Sequence, residues 1–574
     1  MKGNIRLLLY NINYREDMPN IAFVPLAFIL LQEYLKQMSP KMEVLRYDYI
    51  LDDPDSNELK DYYKYDIVGF QLTYPNSNIV IDLLKKWEEK KNRPFIVVGG
   101  VLASVIALEL IEKYSNIDVV VVGEGEESLF NLTRVVKGEI QLKDVPGIVY
   151  RKENNLPIYN KGKKTIDFNS TIIPKRDFLY SIPKDEIKKY SIRIQSARGC
   201  LGKCSFCLNS YKNRLDKITT KAWRGMSPER VVDEIEYLYN EFGIQIINFV
   251  DPTFEDPGIK GKQRIEKIAK YLINRNIKIS FKVNMRAETF IDKDMDLLWL
   301  LKEAGMDFIV LGIEACTNKE LKLLGKNADI DTLTKAYWRL HNMDCFTLLV
   351  GYMPIHPYST VDSLSNSYYY LYKLKLSCLF HIFRCVLIPL RGTNIYDKVS
   401  NDGLILNKND IMEIPKYKFL DSKIAQVNES IQKMKVTYPL LSHFHKRSLD
   451  ALNIVSRSTN RMFDNMLSIE RISKAYSNYK NSINLICEEV SDRYYDFQKE
   501  IIHMARNKWD EERFEELAKK HVVEFVDSNL EKTETEMKNY VDYIHKEGYD
   551  VSVFQTEAWG SYCQERNKIS TNSI

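Results

Sequence analysis

The sequence predicts an α/β fold followed by a mainly helical segment, and three observations carry that reading. Over residues 1–150, short apolar runs alternate with segments of helical period. A second alternation of the same kind occupies 191–395. Beyond 396 the strand signals fade into long, charged, helix-periodic stretches such as 491–548. Short apolar strands separated by helical stretches of roughly 10 to 15 residues describe βαβ units, which build parallel sheets.

In the first alternation the apolar runs are IRLLLYNI, MEVLRYD, DIVGFQL, PFIVVGG and DVVVVG, separated by FVPLAFILLQEYLK, NIVIDLLKKWEEKK and VLASVIALELIEKY. A doubly wound domain over 1–150 is expected. Ligands of such sheets sit beyond the carboxyl ends of the strands, here at loops 71–78, 99–104 and 123–128. Gly99, Gly100, Gly123 and Gly125 let the backbone come close to a ligand, and they equally serve tight turns with no ligand at all. Residues 151–190 have turn residues and little periodicity and read as a connector.

The second alternation runs through IRIQSA, IQIINFVD, ISFKVNMR, DFIVLGIEA, CFTLLVGYMP and LFHIFRCVLIPL, with helices expected to start near Ser227, Lys262, Asp294, Asp331 and Thr360. Ser227-Pro228-Glu229 joins a capping serine to a first-turn proline. Six βα repeats over 191–395 suggest an open, partial (β/α)6 barrel with its site at the carboxyl ends of the strands. The remaining 396–574 is expected as a helical domain that caps this site.

A length of 574 residues implies two to four domains, at roughly 150 residues each. The 45% hydrophobic and 28% charged shares are those of a soluble globular protein. Net charge is +4 from 82 basic and 78 acidic residues with no basic block, which gives no support to a nucleic-acid partner. The amino terminus lacks the apolar run of a signal peptide. The uncharged stretch 96–108 contains a Gly-Gly break and falls short of the roughly 20 residues a membrane span needs. A cytoplasmic protein without a membrane partner is expected. Of nine cysteines, Cys316, Cys345, Cys378, Cys385, Cys487 and Cys563 are scattered singly, unlike a disulfide framework, and read as buried small hydrophobes.

The other three stand together in SARGCLGKCSFCLN, residues 196–209, right after the first strand of the second alternation. The spacing of Cys200, Cys204 and Cys207 suits zinc or an iron–sulfur cluster. Structural zinc needs a fourth protein ligand, and no other cysteine precedes Cys316 and no histidine precedes His341. A four-iron cluster held by three thiolates keeps one iron open for a small molecule.

At these residues the sequence resembles the radical S-adenosylmethionine enzymes. The resemblance implies that Cys200, Cys204 and Cys207 hold a [4Fe–4S] cluster, that S-adenosylmethionine chelates the open iron, and that its cleavage yields a 5′-deoxyadenosyl radical. Phe206 is implied to lie beside the adenine. VDPTFED (250–256), KVNMRAETF, LGIEACT and VLIPLRGTNIYD (386–397) are similar to later stretches of the family. By position Asp251, Arg286 and Glu314 would contact the amino, carboxylate or ribose groups of S-adenosylmethionine; an ion pair or strand-end cap fits each as well. Two departures stand out: VDPTF replaces the usual Gly-Gly-Glu, and Leu390-Arg391-Gly392-Thr393 replaces the usual Pro-Gly-Thr.

The first departure occurs in the branch that carries a Rossmann-like cobalamin domain in front, and residues 1–150 resemble that domain. The carriers are VPLAF (24–28), the VGF strand, GGVLAS (99–104) and GEGE (123–126). The resemblance thus spans about 1–395. It implies cobalamin contacts from Thr73, Tyr74, Gly99, Gly100, Ser104, Gly123, Glu124, Gly125 and Glu126. With no histidine before His341, the corrin is expected to lack a histidine lower ligand, its lower face being covered by loop 71–76 with Tyr74. With no cysteine before Cys200 and only Cys487 and Cys563 in the tail, one cluster is expected.

The activity implied is methylation of an unactivated carbon of a natural-product or peptide substrate, through methylcobalamin and the 5′-deoxyadenosyl radical, with a flavodoxin or ferredoxin type reductant. The alternatives are ring formation, ring contraction or oxidation with the same cofactors, and a cofactor-binding regulator without turnover. Cys316 and the tyrosines of SYYYLYKL (367–374) fit either substrate contact or ordinary packing.

Overall fold

The computed structural model describes residues 4–12, 26–48, 62–88, 93–152, 155–162, 166–188, 190–210, 222–379, 383 and 385–554. Cys563, the start of VPLAF and part of the sixth strand segment lie outside the described residues.

Strands β1 (Arg6–Asn11), β2 (Glu43–Asp48), β3 (Ile67–Gln71), β4 (Phe95–Gly99), β5 (Val119–Val121), β6 (Ile148–Arg151) and β7 (Pro157–Asn160) form one sheet in the order β2-β1-β3-β4-β5-β6-β7. The first five are parallel. Leu8, Val68, Val98 and Val120 bury one face, and Leu7, Ile67, Val97 and Val119 the other. Burial on both faces explains why these strands read as unbroken apolar runs. The sheet does not stop at residue 150. Strands β6 and β7 pair antiparallel and extend it to Asn160, inside the stretch expected to be a connector. They are four residues each, and β7 is only half-buried, so its side chains carry no alternating signal.

The second sheet holds β8 (Ser191–Ile194), β11 (Ile246–Phe249), β12 (Ser280–Arg286), β13 (Met306–Glu314) and β14 (Thr347–Tyr352), all parallel, in the order β14-β13-β12-β11-β8. Between them β9 (Ala197–Gly199) and β10 (Trp223–Gly225) make a short antiparallel pair. Five strands stand where six were expected. The sixth is reduced, among the described residues, to a single parallel bridge from Val386 to Ile355. Helix starts follow the capping residues: Ser227 caps Pro228–Phe242, Asp329 caps Ile330–Asn342, Thr360 caps Val361–Lys373 and Thr393 caps Asn394–Asn401. The helix expected near Lys262 begins earlier, at Gly258.

The carboxy-terminal region is helical, with Ser422–Thr437, Leu440–Ser458, the 37-residue Glu470–Arg506 and Glu524–Lys546 as its main elements. Among the described residues, its buried bonds to the barrel are made at the end opposite the mouth. Asn460 Nδ2 donates to the carbonyls of Ile279 and Gly305 and to Asp307, Lys302 donates to the Ser456 carbonyl, and Thr347 bonds Ser456. Those barrel residues stand at the amino-terminal ends of β12, β13 and β14, so the end of Leu440–Ser458 and the turn after it close the floor, while Glu470–Arg506 runs along the side and bonds Asp362 through Arg506. Helical periodicity shows that a face is buried but not which end of a barrel buries it.

A strap over 402–420 ties the barrel to the first sheet. Ile411 and Met412 sit in the first sheet's apolar core, and Ser77 Oγ donates to the Met412 carbonyl. Arg391 donates to the carbonyls of Lys408 and Asp410 and to Tyr396 OH. The arginine that replaces the expected proline thus fastens the strap.

Candidate active site

The three clustered cysteines leave the barrel on the loop after β9, and the barrel holds that loop at several points. Ser205 N donates to the Leu324 carbonyl, Ser205 Oγ to the Leu323 carbonyl, and Ile395 N to the Ser205 carbonyl. Leu201 N donates to Asp256 Oδ2 at 2.9 Å. Gly202 stands among the thiols: a Cβ there would lie 3.2 Å from Cys200 Sγ and 3.9 Å from Cys204 Sγ. Burial pushes the Cys200 thiol up to about 11 and the Cys204 thiol up to about 12, so a metal that binds thiolate must displace their protons.

Beside them the strand ends present a dense charge cluster. Arg286, the last residue of β12, pairs with Asp256, approaches Glu255 at 3.7 Å and Glu288 at 3.8 Å, and takes its backbone bond to Glu255. Lys326 Nζ lies 3.1 Å from Glu288 and donates to the Gly312 carbonyl at 3.0 Å. Glu314 ends β13 with φ 78°, a left-handed conformation that costs a non-glycine residue ~1–2 kcal/mol. A Cβ on Gly312 would come within 2.7 Å of its carboxylate, and one on Gly351 within 3.5 Å. Two glycines therefore clear the space around this strained carboxylate. Burial pushes the Glu314 carboxyl up to about 7, against the pull of Lys326 and with a further push from Glu288.

At the carboxyl edge of the first sheet lies a cavity of about 650 Å³. Gly99, Gly100, Ser104, Gly123, Glu124, Gly125 and Glu126 line it from the sheet side, and Gln195, Val250 and Asn284 from the barrel. Gly100 has φ 102°, and a Cβ there would meet the Leu72 carbonyl at 3.1 Å. Ser104 Oγ donates to the Gly100 carbonyl and accepts from Gly123 N, fixing the two glycine turns to each other. On the cavity wall Glu124 and Glu126 pair with Arg198 and Arg224 of β9 and β10. Phe168 carries a guanidinium at 4.8 Å on each count. Burial alone would lower the Arg198 pKa, but Glu126 and Glu124 more than offset it and hold the charge.

Two sequence expectations need revision. Asp251 is buried, and its carboxylate accepts from Ser196 N at 2.8 Å, Ala197 N at 3.0 Å and Ser196 Oγ. It clamps the turn before the cysteine loop rather than facing a ligand. Thr73 and Tyr74 do not line the cavity; Gln71 does. Tyr74 packs on the first sheet's core with its phenol beside the Arg391 backbone. Glu124 and Glu126 reach the cavity but are engaged by arginines. Phe206 packs on the barrel core, and Cys316 lies near Glu320 and Ser367. Asp256, Glu288, Lys326, Arg198 and Arg224 had not been singled out. Asp256 shares the VDPTFED segment with Asp251; Lys326 follows a short helix with no pattern to mark it.

Two family models match the chain: the Radical SAM superfamily over 194–368 and the B12 binding domain over 23–133. The chain belongs to the cobalamin-dependent radical S-adenosylmethionine enzymes. An uncharacterized methyltransferase of Pyrococcus horikoshii is 26% identical over 390 residues, 65% of this chain and 79% of that one. An anaerobic magnesium-protoporphyrin IX monomethyl ester cyclase of Cereibacter sphaeroides is 28% identical over 313 residues, 52% of this chain. The chain spans about half the length of that cyclase, 48%. The cobalamin-dependent S-adenosylmethionine radical enzyme OxsB with aqua-cobalamin bound has the same fold, with TM-score 0.66 and 19% identity over 98% of this chain and 84% of that one.

Membership implies a [4Fe–4S] cluster, S-adenosylmethionine and cobalamin, and the residues of this radical enzyme fit them. Two of the three thiols close around Gly202, a cleared carboxylate stands near them, and two glycine turns form the edge of a cavity. Among the described residues no helix is long and apolar enough to cross a membrane.

Proposed function

We propose that this enzyme methylates an unactivated carbon of a natural-product or peptide substrate. The observation that supports the reading is a cavity lined by both sheets: Gly99, Gly100, Gly123 and Gly125 from the first, Gln195, Val250 and Asn284 from the barrel. A corrin over the first sheet and a substrate in the barrel would share one chamber. When bound, the cluster and S-adenosylmethionine supply a hydrogen-abstracting radical, and cobalamin supplies a methyl carrier; the protein's part is geometry and exclusion of water.

Cys200, Cys204 and Cys207 are assigned to the cluster. Arg286, oriented by Asp256 and Glu255, and Glu314, with Lys326 nearby, are assigned to the polar groups of S-adenosylmethionine. Phe206 is assigned to its adenine. Gly99, Gly100, Ser104, Gly123 and Gly125 are assigned to cobalamin. Among the described residues no histidine lines the cavity, which supports a corrin held without a histidine lower ligand, with Gln71 rather than Tyr74 on the wall. A flavodoxin or ferredoxin is assigned as electron donor.

The relative named a methyltransferase supports methyl transfer. The relative named a cyclase favours a second reading, ring formation or oxidation with the same cofactors. The test is anaerobic incubation of the reconstituted full chain with cobalamin, a low-potential reductant and S-adenosylmethionine, followed by mass spectrometry. Both 5′-deoxyadenosine and S-adenosylhomocysteine are expected. The first without the second replaces methyl transfer by the other reading, and neither overturns both.

A further inference from the structure

The barrel floor carries two cations that the chemistry so far does not use. Register places Arg193 of β8 beside Asn248 of β11, Asn248 beside Lys282 of β12, and Lys282 beside Phe308 of β13. All four are partly exposed, while their sequence neighbours Ile192, Ile194, Ile247, Phe249, Phe281, Val283 and Ile309 are buried against the helices. Alternate strand residues face opposite sides, so the four side chains stand on the lumen side of the sheet and their exposure is to the lumen. One layer above them, Asn284 and Val250 line the cavity.

Lys282 is the unusual member. Among the described residues no carboxylate pairs with it; its contact is the ring of Phe308, 4.9 Å from Nζ. Burial, and then Arg193, push its pKa down. Other buried lysines of this barrel are provided for: Lys326 by Glu288, and Lys302 by the Ser456 carbonyl. A lysine that is neither paired with an acid nor led to the surface is costly unless something neutralises it.

We propose that Arg193 and Lys282 bind an anionic group of the substrate, a phosphate or a carboxylate, so that the substrate stands in the lumen with its acidic end on the floor and its reacting end toward the cysteine loop. The proposal rests on the enzymatic reading above and adds the substrate's chemical class. Arg193 supplies a planar fork of donors and Lys282 a point charge, with the Asn248 amide between them. A bound anion would reverse the downward push on Lys282.

The test is isothermal titration calorimetry of the reconstituted full chain with inorganic phosphate in one arm and acetate in the other. The variants are Lys282→Met and Lys282→Arg, and the visible absorption of the cluster checks folding. Saturable binding of one anion is expected, weakened at least about tenfold in Lys282→Met and retained in Lys282→Arg, since a paired charge of this kind contributes more than ~1.4 kcal/mol. Phosphate binding marks a phosphate ester, acetate binding a carboxylate. Binding of neither anion, or equal binding in Lys282→Met, overturns the proposal. Calorimetry needs no turnover, so its failure is distinguishable from a wild type that forms no 5′-deoxyadenosine.

Discussion

The two parallel sheets share an architecture and prepare their carboxyl edges in opposite ways. The first clears its edge: Gly99, Gly100, Gly123 and Gly125 leave backbone and space, and the nearby acids are tied up by Arg198 and Arg224. The second loads its edge with thiols and with Arg286, Glu288, Glu314 and Lys326. A broad, flat cofactor is held by shape, which needs the removal of side chains. A small, charged and reactive one is held by ligands and ion pairs, which needs their addition. The contrast predicts that the two edges fail independently.

The strongest separation is expected from Cys204→Ala. Iron content and 5′-deoxyadenosine formation should fall to background, while retention of cobalamin, read from corrin absorbance after gel filtration, stays. The reverse should follow from Gly100→Val. Its φ of 102° and the 3.1 Å approach to the Leu72 carbonyl leave no room for a side chain, and the left-handed backbone alone costs ~1–2 kcal/mol. Cobalamin affinity is expected to drop about tenfold or more, with iron content unchanged. If either substitution removes both cofactors, the edges are not separate.

Glu314→Gln should reduce S-adenosylmethionine cleavage by about 100-fold, the scale of losing one charged contact at a reacting centre. Burial pushes this carboxyl up to about 7, so cleavage that needs the carboxylate rises with pH through that value and levels off above it. The glutamine variant should show no such rise. The sign for stability is opposite. The folded chain holds this proton more tightly than the unfolded chain, so the contribution is present below the ordinary glutamate pKa and is lost as pH rises through about 7. The smallest effect is expected from Ser227→Ala. It removes the cap on Pro228–Phe242 at a cost of about 1 kcal/mol, seen as a slightly lower melting temperature with both cofactors retained.

Much of the fold was legible in the sequence because parallel strands buried on both faces write long apolar runs and βα helices announce their caps. The β6–β7 hairpin was not, since four-residue edge strands leave no period. The placement of the carboxy-terminal helices was not, because the bonds of Asn460 to residues 279, 305 and 307 span more than 150 positions. At the site, spacing singled out Cys200, Cys204 and Cys207 and the resemblance singled out Arg286 and Glu314, and the structure brings these five residues to one place. Asp251 was misread because a strand-end aspartate looks the same from sequence whether it binds a ligand or clamps a turn. Lys326 was invisible because its role depends on Gly312 and Glu288, which come from other elements.

The strap over 402–420 has one more consequence. Met412 completes an interior that begins with Ser77, its bonding partner 335 positions earlier. The amino-terminal half is therefore not a detachable module. A chain ended at residue 395 would leave an apolar hole in its first sheet, and a homologous front half grafted onto this barrel would bring a socket cut for a different plug. Recombination within this architecture must carry strap and socket together, so the two halves inherit as one unit even though their chemistries are separate.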